Sequence, residues 1–236
     1  MISQRSAKLG VALALVAIGL VVSPIDAKPH HSTIWNWGGG KRIKGSGHLI
    51  TEKRKLADFD EIVIQNSTDL EVKVGSPLDV EVEAEDNLME YLTTEVDGGV
   101  LYISTDCNCS MTTRLGSRIT ISVPNLKAIS IEGSSDTNVE GLKGPGFELT
   151  IAGSGDIELA GAVDELEVEI DGSDDVNAKR LSSKDAYVSI NGSGDVLLTV
   201  EDNLDANING SGDIRYAGTP RVRKSLNGSG SISSRP

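Results

Sequence analysis

Aromatic residues make up only 3% of this 236-residue chain, and histidine occurs three times and cysteine twice. A Ser-His-acid catalytic set is excluded, because His48 is the only histidine after residue 31. Two thiols with no nearby histidine are also too few for a zinc site. The sequence therefore predicts a non-enzymatic protein without a resident cofactor. A polysaccharide-cleaving enzyme stays open as the alternative, although the aromatic-lined cleft typical of such enzymes is not expected.

Positive charge is scarce as well. The chain has 22 lysine and arginine residues against 35 aspartate and glutamate residues, which gives a formal net charge of −13. Binding to nucleic acid needs clustered basic side chains that replace counterions along the phosphates. Nucleic acid is therefore excluded as an expected partner.

Long apolar runs are missing except at the amino terminus. Leu9 to Val22 is uncharged and mostly apolar, follows the basic residues Arg5 and Lys8, and precedes a breaker and a small-residue cleavage motif that ends at Ala27. The run is shorter than the ~20 residues of a spanning helix. Residues 1–27 are predicted to be a signal peptide, with an uncleaved anchor as the alternative. The protein is expected to be exported to the periplasm, the outer surface or the medium.

The two cysteines lie two positions apart in the stretch TDCNCS. An exported chain meets an oxidising compartment in which thiols tend to pair. A disulfide between Cys107 and Cys109 would close a small, strained ring. A local disulfide and two separate thiols are therefore both open.

Glycine, in contrast, is abundant and periodic. The motif Gly-Ser-Gly-Asp and its variants recur at intervals of 18 to 20 residues, and their first glycines are Gly133, Gly153, Gly172, Gly192, Gly210 and Gly228. Such a period indicates a solenoid, in which each repeat buries its apolar face only by stacking on its neighbours. Between the motifs apolar residues alternate, as in Leu204, Ala206 and Ile208. This period of two predicts strands with one buried face.

The predicted fold is an all-β parallel β-helix with coils of about 18–20 residues. Its irregular coils cover residues 55–130 and its regular coils residues 131–236, and residues 28–54 are expected to be a linker or flexible arm. Parallel stacking would place like residues over like. One expected internal ladder consists of Ile131, Ile151, Ile170, Ile190, Ile208 and Leu226, and a second consists of Ile157, Val176, Val196, Ile214 and Ile232.

Residues 55 to 233 resemble the bacterial head GIN domain family, which is described as autotransporter adhesins. The resemblance rests on the repeated Gly-Ser-Gly-Asp turns and on four segments of the irregular part, at residues 59–64, 68–74, 80–88 and 95–101. It implies a right-handed parallel β-helix in an exported bacterial protein. It carries over no catalytic residues.

The repeat also aligns a column of aspartates, Asp136, Asp156, Asp175, Asp195 and Asp213. Calcium binds several oxygen ligands at once, so these residues are candidate calcium ligands. The spacing differs from tandem calcium-binding repeats, since in the Gly-Ser-Gly-Asp turns the aspartate directly follows the second glycine and the motif occurs once per coil. The favoured interpretation is structural, with each aspartate accepting hydrogen bonds from the backbone of its own turn.

Together these features predict an exported β-helix that acts as an adhesin or an envelope-associated binding module. A repetitive flat surface is suited to a glycan or a cell-surface protein. A calcium-stabilised surface protein that associates with itself is a further alternative, because solenoid ends expose unpaired strand edges.

Overall fold

A computed structural model describes residues 41–107 and 109–235. The predicted signal peptide lies outside the described residues. These residues form seventeen strands and one 3₁₀ turn, Met89–Tyr91. The strands are β1 (Lys41–Lys44), β2 (Leu49–Lys53), β3 (Glu61–Ile64), β4 (Asp69–Val74), β5 (Asp79–Glu85), β6 (Leu92–Asp97), β7 (Val100–Thr105), β8 (Cys109–Thr112), β9 (Arg118–Val123), β10 (Ala128–Ile131), β11 (Thr137–Ile151), β12 (Asp156–Gly172), β13 (Asp175–Gly192), β14 (Val196–Gly210), β15 (Asp213–Ala217), β16 (Arg221–Gly228) and β17 (Ser231–Ser234). In this part of the chain no helix is long and apolar enough to cross a membrane.

The regular coils form a parallel β-solenoid, which confirms the predicted fold class. Strands β11 to β14 are long and pair in parallel, each with the corresponding strand of the next coil. The first half of each long strand, together with β4, β9, β15 and β17, belongs to what we call face A. The second half, together with β3, β7, β10 and β16, belongs to face B. The inward side chains of the two faces meet in one apolar core.

Both predicted aliphatic ladders are in register, but the last member of the first ladder, Leu226, is 49% exposed and is not internal. Ile170 is in register with Ile190, and Ile190 with Ile208, along face B. On face A, Val196 is in register with Val176 and with Ile214. A fully buried aliphatic side chain contributes about 1.5–3 kcal/mol relative to an exposed one, so the stacked ladders are the main stabilising element.

The irregular coils add antiparallel strands at the amino-terminal end of the solenoid. Strand β5 pairs antiparallel with β9, and β2 in turn pairs with β5. On face B, β6 pairs antiparallel with β7. These strands cover the first coil, where an uninterrupted parallel repeat would leave an open edge.

The second half of residues 28–54, which were predicted to be a linker or flexible arm, forms two strands instead. Strand β1 pairs in parallel with β8, and β2 pairs with β5. All five side chains of β2 are exposed, including Leu49 and Ile50 at 42% and 39%. Backbone pairing at the edge of face A, and not burial of an apolar face, holds this strand. The apolar alternation that reveals strands in a sequence is therefore missing here.

Candidate functional site

The corner between face B and face A, where the Gly-Ser-Gly-Asp motifs lie, is a stack of glycine backbones. Gly192 has a φ angle of 148°, and a β-carbon there would collide with the carbonyl oxygen of Gly172 in the preceding coil. Gly210 and Gly228 repeat this contact, each on the coil before it. Only glycine permits so close an approach with this backbone angle. The corner is therefore packed by backbone, with no space for a ligand inside it.

The predicted aspartate column lies along this corner. Asp175 Oδ1 accepts a hydrogen bond from the backbone N–H of Asp195 at 2.9 Å, and Asp195 Oδ1 accepts one from Asp213 at 2.9 Å. Asp136 makes the same contact to Asp156 at 3.1 Å. The prediction that each aspartate binds its own turn is therefore wrong. Stacking at a spacing of ~4.8 Å brings the N–H of the next coil beside the carboxylate, so the bonds link successive coils.

The last member of the column has the most complete set of partners. Asp213 Oδ1 accepts hydrogen bonds from the backbone N–H and the hydroxyl of Ser231, at 2.9 and 2.8 Å, and Asp213 Oδ2 accepts one from Arg215 Nη2 at 2.7 Å. The Ser231 hydroxyl first, and then Arg215, lower the pKa of Asp213. These partners stabilise the ionised carboxylate through hydrogen bonds and through the positive charge of Arg215.

A calcium site along the column would need oxygen ligands that converge. In the described residues no group of three or more His, Cys, Asp or Glu side chains is arranged to hold a metal ion. Apart from the coil that carries both Asp174 and Asp175, each level of the column supplies one carboxylate, whereas calcium takes about six to eight oxygen ligands. The aspartate side chains instead join successive coils through hydrogen bonds to backbone N–H groups.

The column is interrupted at the variant motif IDGSDD. No side chain to backbone bond joins Asp156 to Asp175, and the N–H of Asp175 donates instead to the carbonyl oxygen of Gly155 at 3.1 Å. Asp174 occupies the position of the second glycine, and its side chain is 1% exposed. Neither of its carboxylate oxygens has a hydrogen-bond partner at acceptable geometry. Burial raises the pKa of Asp174 to about 6, with a smaller contribution from the charge of Asp175.

The outer side of face B is strongly acidic. Glu167 is in register with Glu148 on one side and with Tyr187 on the other. The acidic side chains of this surface, which we call the acidic face, are Glu148, Glu165, Glu167, Glu169, Asp185 and Asp205. Partial burial first, and then the charges of Glu148, Glu169 and Glu165, raise the pKa of Glu167. Within the described residues none of these four glutamates makes an ion pair, whereas Asp205 at the far end of the acidic face pairs with Arg223 at 3.3 Å.

The first corner of the solenoid differs from the others. A longer loop between β7 and β9, which contains the short strand β8, replaces the tight Gly-Ser-Gly-Asp turn and lies over the corner at Asn66–Thr68. Cys107 and Cys109 form a disulfide in this loop, with their Cα atoms 5.1 Å apart. Below the loop lies a cavity of about 300 Å³, which we call the end-corner cavity. A second depression of about 490 Å³, near Asp58 and Asp60, is wide open to solvent.

A buried carboxylate holds the loop beside this cavity. Glu85 is fully buried and accepts hydrogen bonds from Gly47 N at 2.6 Å, Thr113 Oγ1 at 2.6 Å and Arg114 N at 3.2 Å. The Thr113 hydroxyl first, and then these backbone groups, lower the pKa of Glu85 against the opposing effect of burial. Sequence reasoning missed Glu85, because a glutamate at the outward position of an alternating strand is typical of an exposed residue.

Comparison with solved structures supports the fold. The chain is similar to a crystal structure described as a "putative adhesin" from Bacteroides fragilis NCTC 9343, with 23% identity and a TM-score of 0.66, covering 82% of this chain and 100% of that one. It is also similar to one described as "putative adhesin" from Parabacteroides distasonis ATCC 8503, with 21% identity and a TM-score of 0.51, covering 83% and 100%. At these identities the likeness shows the fold alone. No curated protein is significantly similar to the chain.

The family is shown by a direct match. Residues 58–220 match the family model described as "Putative auto-transporter adhesin, head GIN domain". The matched segment extends from the residues before β3 to Pro220, and it includes the glycine corners of the regular coils through β15. The chain therefore belongs to the head GIN domain family.

Proposed function

We propose that this protein is an exported, non-enzymatic adhesin that binds a positively charged partner surface through the acidic face. The observation that carries the proposal is the array of glutamates on the outer side of face B, whose charges are not offset by basic residues. Register places Glu148 beside Glu167, and Glu165 beside Asp185. Adjacent like charges on paired strands are destabilising, and a cationic partner relieves this repulsion on binding.

The solenoid suits this role because its surface is extended and rigid. The strands beneath the acidic face are anchored by fully buried residues such as Leu166, Val168 and Ile170. The partner therefore meets charges at fixed spacings. Binding to this rigid surface loses less conformational entropy than binding to a mobile loop would. Membership of a family described as adhesins agrees with this proposal.

The binding test uses the full protein and two charge-matched variants. The first replaces Glu165, Glu167 and Glu169 with glutamine, and the second replaces Glu71, Glu81 and Glu83 on the outer side of face A. Binding to immobilised polylysine, to polyglutamate, and to an array of glycans and extracellular matrix proteins is measured at low and high salt. We expect salt-sensitive binding to cationic surfaces that the first variant weakens at least about tenfold, or 1.4 kcal/mol, and the second leaves nearly unchanged.

Two results would contradict the proposal. Equal loss in both variants would mean that net charge, and not the acidic face, controls binding. Release of reducing sugar ends from a polysaccharide by the purified protein would establish an enzyme instead. Export is checked separately by determining the amino-terminal residue of the mature protein, which we expect to be Lys28.

A further inference from the structure

The end-corner cavity exists because the glycine stack stops at the first coil. A β-carbon on Gly133 would collide with the carbonyl oxygen of Asn66, so this corner is still closely stacked on the coil below it. Above Asn66 the loop between β7 and β9 takes the place of a further glycine corner. Ser117, near the end of the loop, bonds to this corner: the hydroxyls of Thr68 and Ser117 are 2.9 Å apart, and the N–H of Asp69 donates to the carbonyl oxygen of Ser117 at 3.0 Å. The remaining space is the cavity of about 300 Å³.

The cavity wall contains no charged side chain. Its apolar part consists of Ala84, Leu88, Leu92 and Met111, and the rest is formed by hydroxyl, amide and glycine residues. Charged residues make up 24% of the chain, so an uncharged wall is a distinctive feature of this site. Transferring a charged ligand into such a site would remove its hydration without supplying an opposite charge. The wall therefore selects against ions.

Most polar groups of the wall are already paired with each other. Asn66 Nδ2 donates to Thr105 Oγ1 at 3.2 Å, and Asn66 Oδ1 accepts from the N–H of Thr68 at 3.1 Å. Ser67, also in the wall, makes no side-chain hydrogen bond within the described part of the chain. A ligand would therefore gain mainly apolar contacts, with the Ser67 hydroxyl available for one hydrogen bond.

The loop that forms the roof is held in place before any ligand binds. The buried Glu85 fixes the end of the loop at Thr113 and Arg114, and the Cys107–Cys109 disulfide constrains its beginning. Burying a carboxylate beneath a surface loop requires several hydrogen bonds to compensate its lost hydration. A fixed roof lowers the entropy loss on binding.

From these observations we infer that the end-corner cavity binds a small, uncharged and mainly apolar molecule. Its volume lies at the lower end of the range for small-molecule pockets, about 300–1,000 Å³. Contacts come from the leucine and methionine side chains of the wall. This cavity differs from the acidic face in the ligand it selects, since its wall favours a neutral molecule and the acidic face favours a cationic one. The inference is therefore independent of the proposed function.

Two probes with the same ring framework test the inference. N-phenyl-1-naphthylamine is uncharged, and its 8-sulfonate derivative, 8-anilinonaphthalene-1-sulfonate, differs by one negative charge. Both fluoresce more strongly in apolar surroundings. We expect saturable binding of the neutral probe at one site per chain, with the sulfonate at least about tenfold weaker, or 1.4 kcal/mol.

Methionine methyl groups report where the probe binds. The chain has three methionines, of which Met111 lies in the cavity wall and Met89 is buried in the core. In protein labelled with ¹³C at the methionine methyls, the neutral probe should shift the Met111 signal, which is assigned from Met111→Leu. Met111→Leu should retain binding, whereas Met111→Glu should weaken it at least about tenfold because it places a charge in the wall.

The inference is overturned by an unshifted Met111 signal in the wild-type protein at saturating probe. It is also overturned if the sulfonate binds as tightly as the neutral probe, or if a folded Met111→Glu variant binds the neutral probe normally. The wild-type spectra decide the question even where Met111→Glu does not fold. A variant that loses binding of the neutral probe should still bind polylysine through the acidic face. Failure of the cavity inference is therefore distinguishable from failure of the proposed function.

Discussion

Replacing Asp174 with asparagine should stabilise the protein at neutral pH. Asp174 is 1% exposed, and its two carboxylate oxygens have no hydrogen-bond partner of acceptable geometry. Asparagine has nearly the same shape as the protonated acid but carries no charge at any pH. The substitution therefore removes the penalty of a buried carboxylate while preserving the packing of the corner.

The magnitude follows from the pKa. Burial raises the pKa of Asp174 from 3.8 to about 6 in the folded protein. Because each pKa unit corresponds to 1.36 kcal/mol, the ionised carboxylate lowers the free energy of unfolding by about 3 kcal/mol above pH 7. The folded-state pKa is raised, so the contribution of Asp174 is most favourable below pH 4 and is lost as the pH rises through 6. The advantage of Asp174→Asn should thus be about 3 kcal/mol at pH 7.5 and near zero at pH 4.

The assay is urea unfolding followed by circular dichroism at both pH values, on wild type, Asp174→Asn and the control Asp156→Asn. Asp156 is exposed and its carboxylate accepts no hydrogen bond among the described residues, so the control should change stability by less than about 0.5 kcal/mol. Comparing variant with wild type at each pH cancels the acid destabilisation from other carboxylates. A variant no more stable than wild type at pH 7.5, or a difference that does not change with pH, would refute the reasoning.

Four further outcomes are expected. Gly210→Ala should lower the free energy of unfolding by about 1–3 kcal/mol or more, because its β-carbon collides with the preceding coil, whereas Gly146→Ala should be nearly neutral in the same urea titration. Asp195→Ala should lower it by about 0.5–1.5 kcal/mol and Asp195→Asn by less, since the amide oxygen still accepts the bond. The pKa of Glu85 is lowered, so its contribution to stability is present above its unfolded pKa and lost in acid. The protection factor of the Gly47 amide, which is the intrinsic exchange rate at that pH divided by the observed rate, should therefore fall at low pH, and Glu85→Gln should remove that pH dependence. Calcium should leave the midpoint of thermal unfolding unchanged, and an increase in that midpoint would indicate that the aspartate column binds the cation.

The regular half of the fold could be predicted from the sequence because its signals are local and repeated. A period of 18 to 20 residues and apolar alternation are enough to place Ile190 above Ile170 and below Ile208. The glycines mark the corner because only they tolerate its close backbone contacts. The irregular half gave weaker signals. Strand β2 is held by backbone pairing and by the ion pairs of Lys53 with Asp79 and Glu81, so its residues show no apolar pattern.

The site was less predictable than the fold. The aspartate column could be located, but the partner of each carboxylate depends on the distance between coils, which no single repeat encodes. The acidic face also needed the register, because Glu148 and Glu167 are nineteen positions apart in the chain and adjacent in space. A buried Glu85 gives no signal in the sequence, since its hydrogen-bond donors come from two distant loops.

The sequence by itself determined that this chain is a β-solenoid, because periodicity and glycine placement restrict the backbone to stacked coils. Its match to the family model, and not its period, places it in the head GIN domain family. Only the tertiary structure decided what the stacking brings together: hydrogen bonds between successive aspartates, the buried Asp174, the acidic face and the end-corner cavity. These features depend on distances between residues remote in the chain. They arise where one coil meets the next, or where the repeat ends.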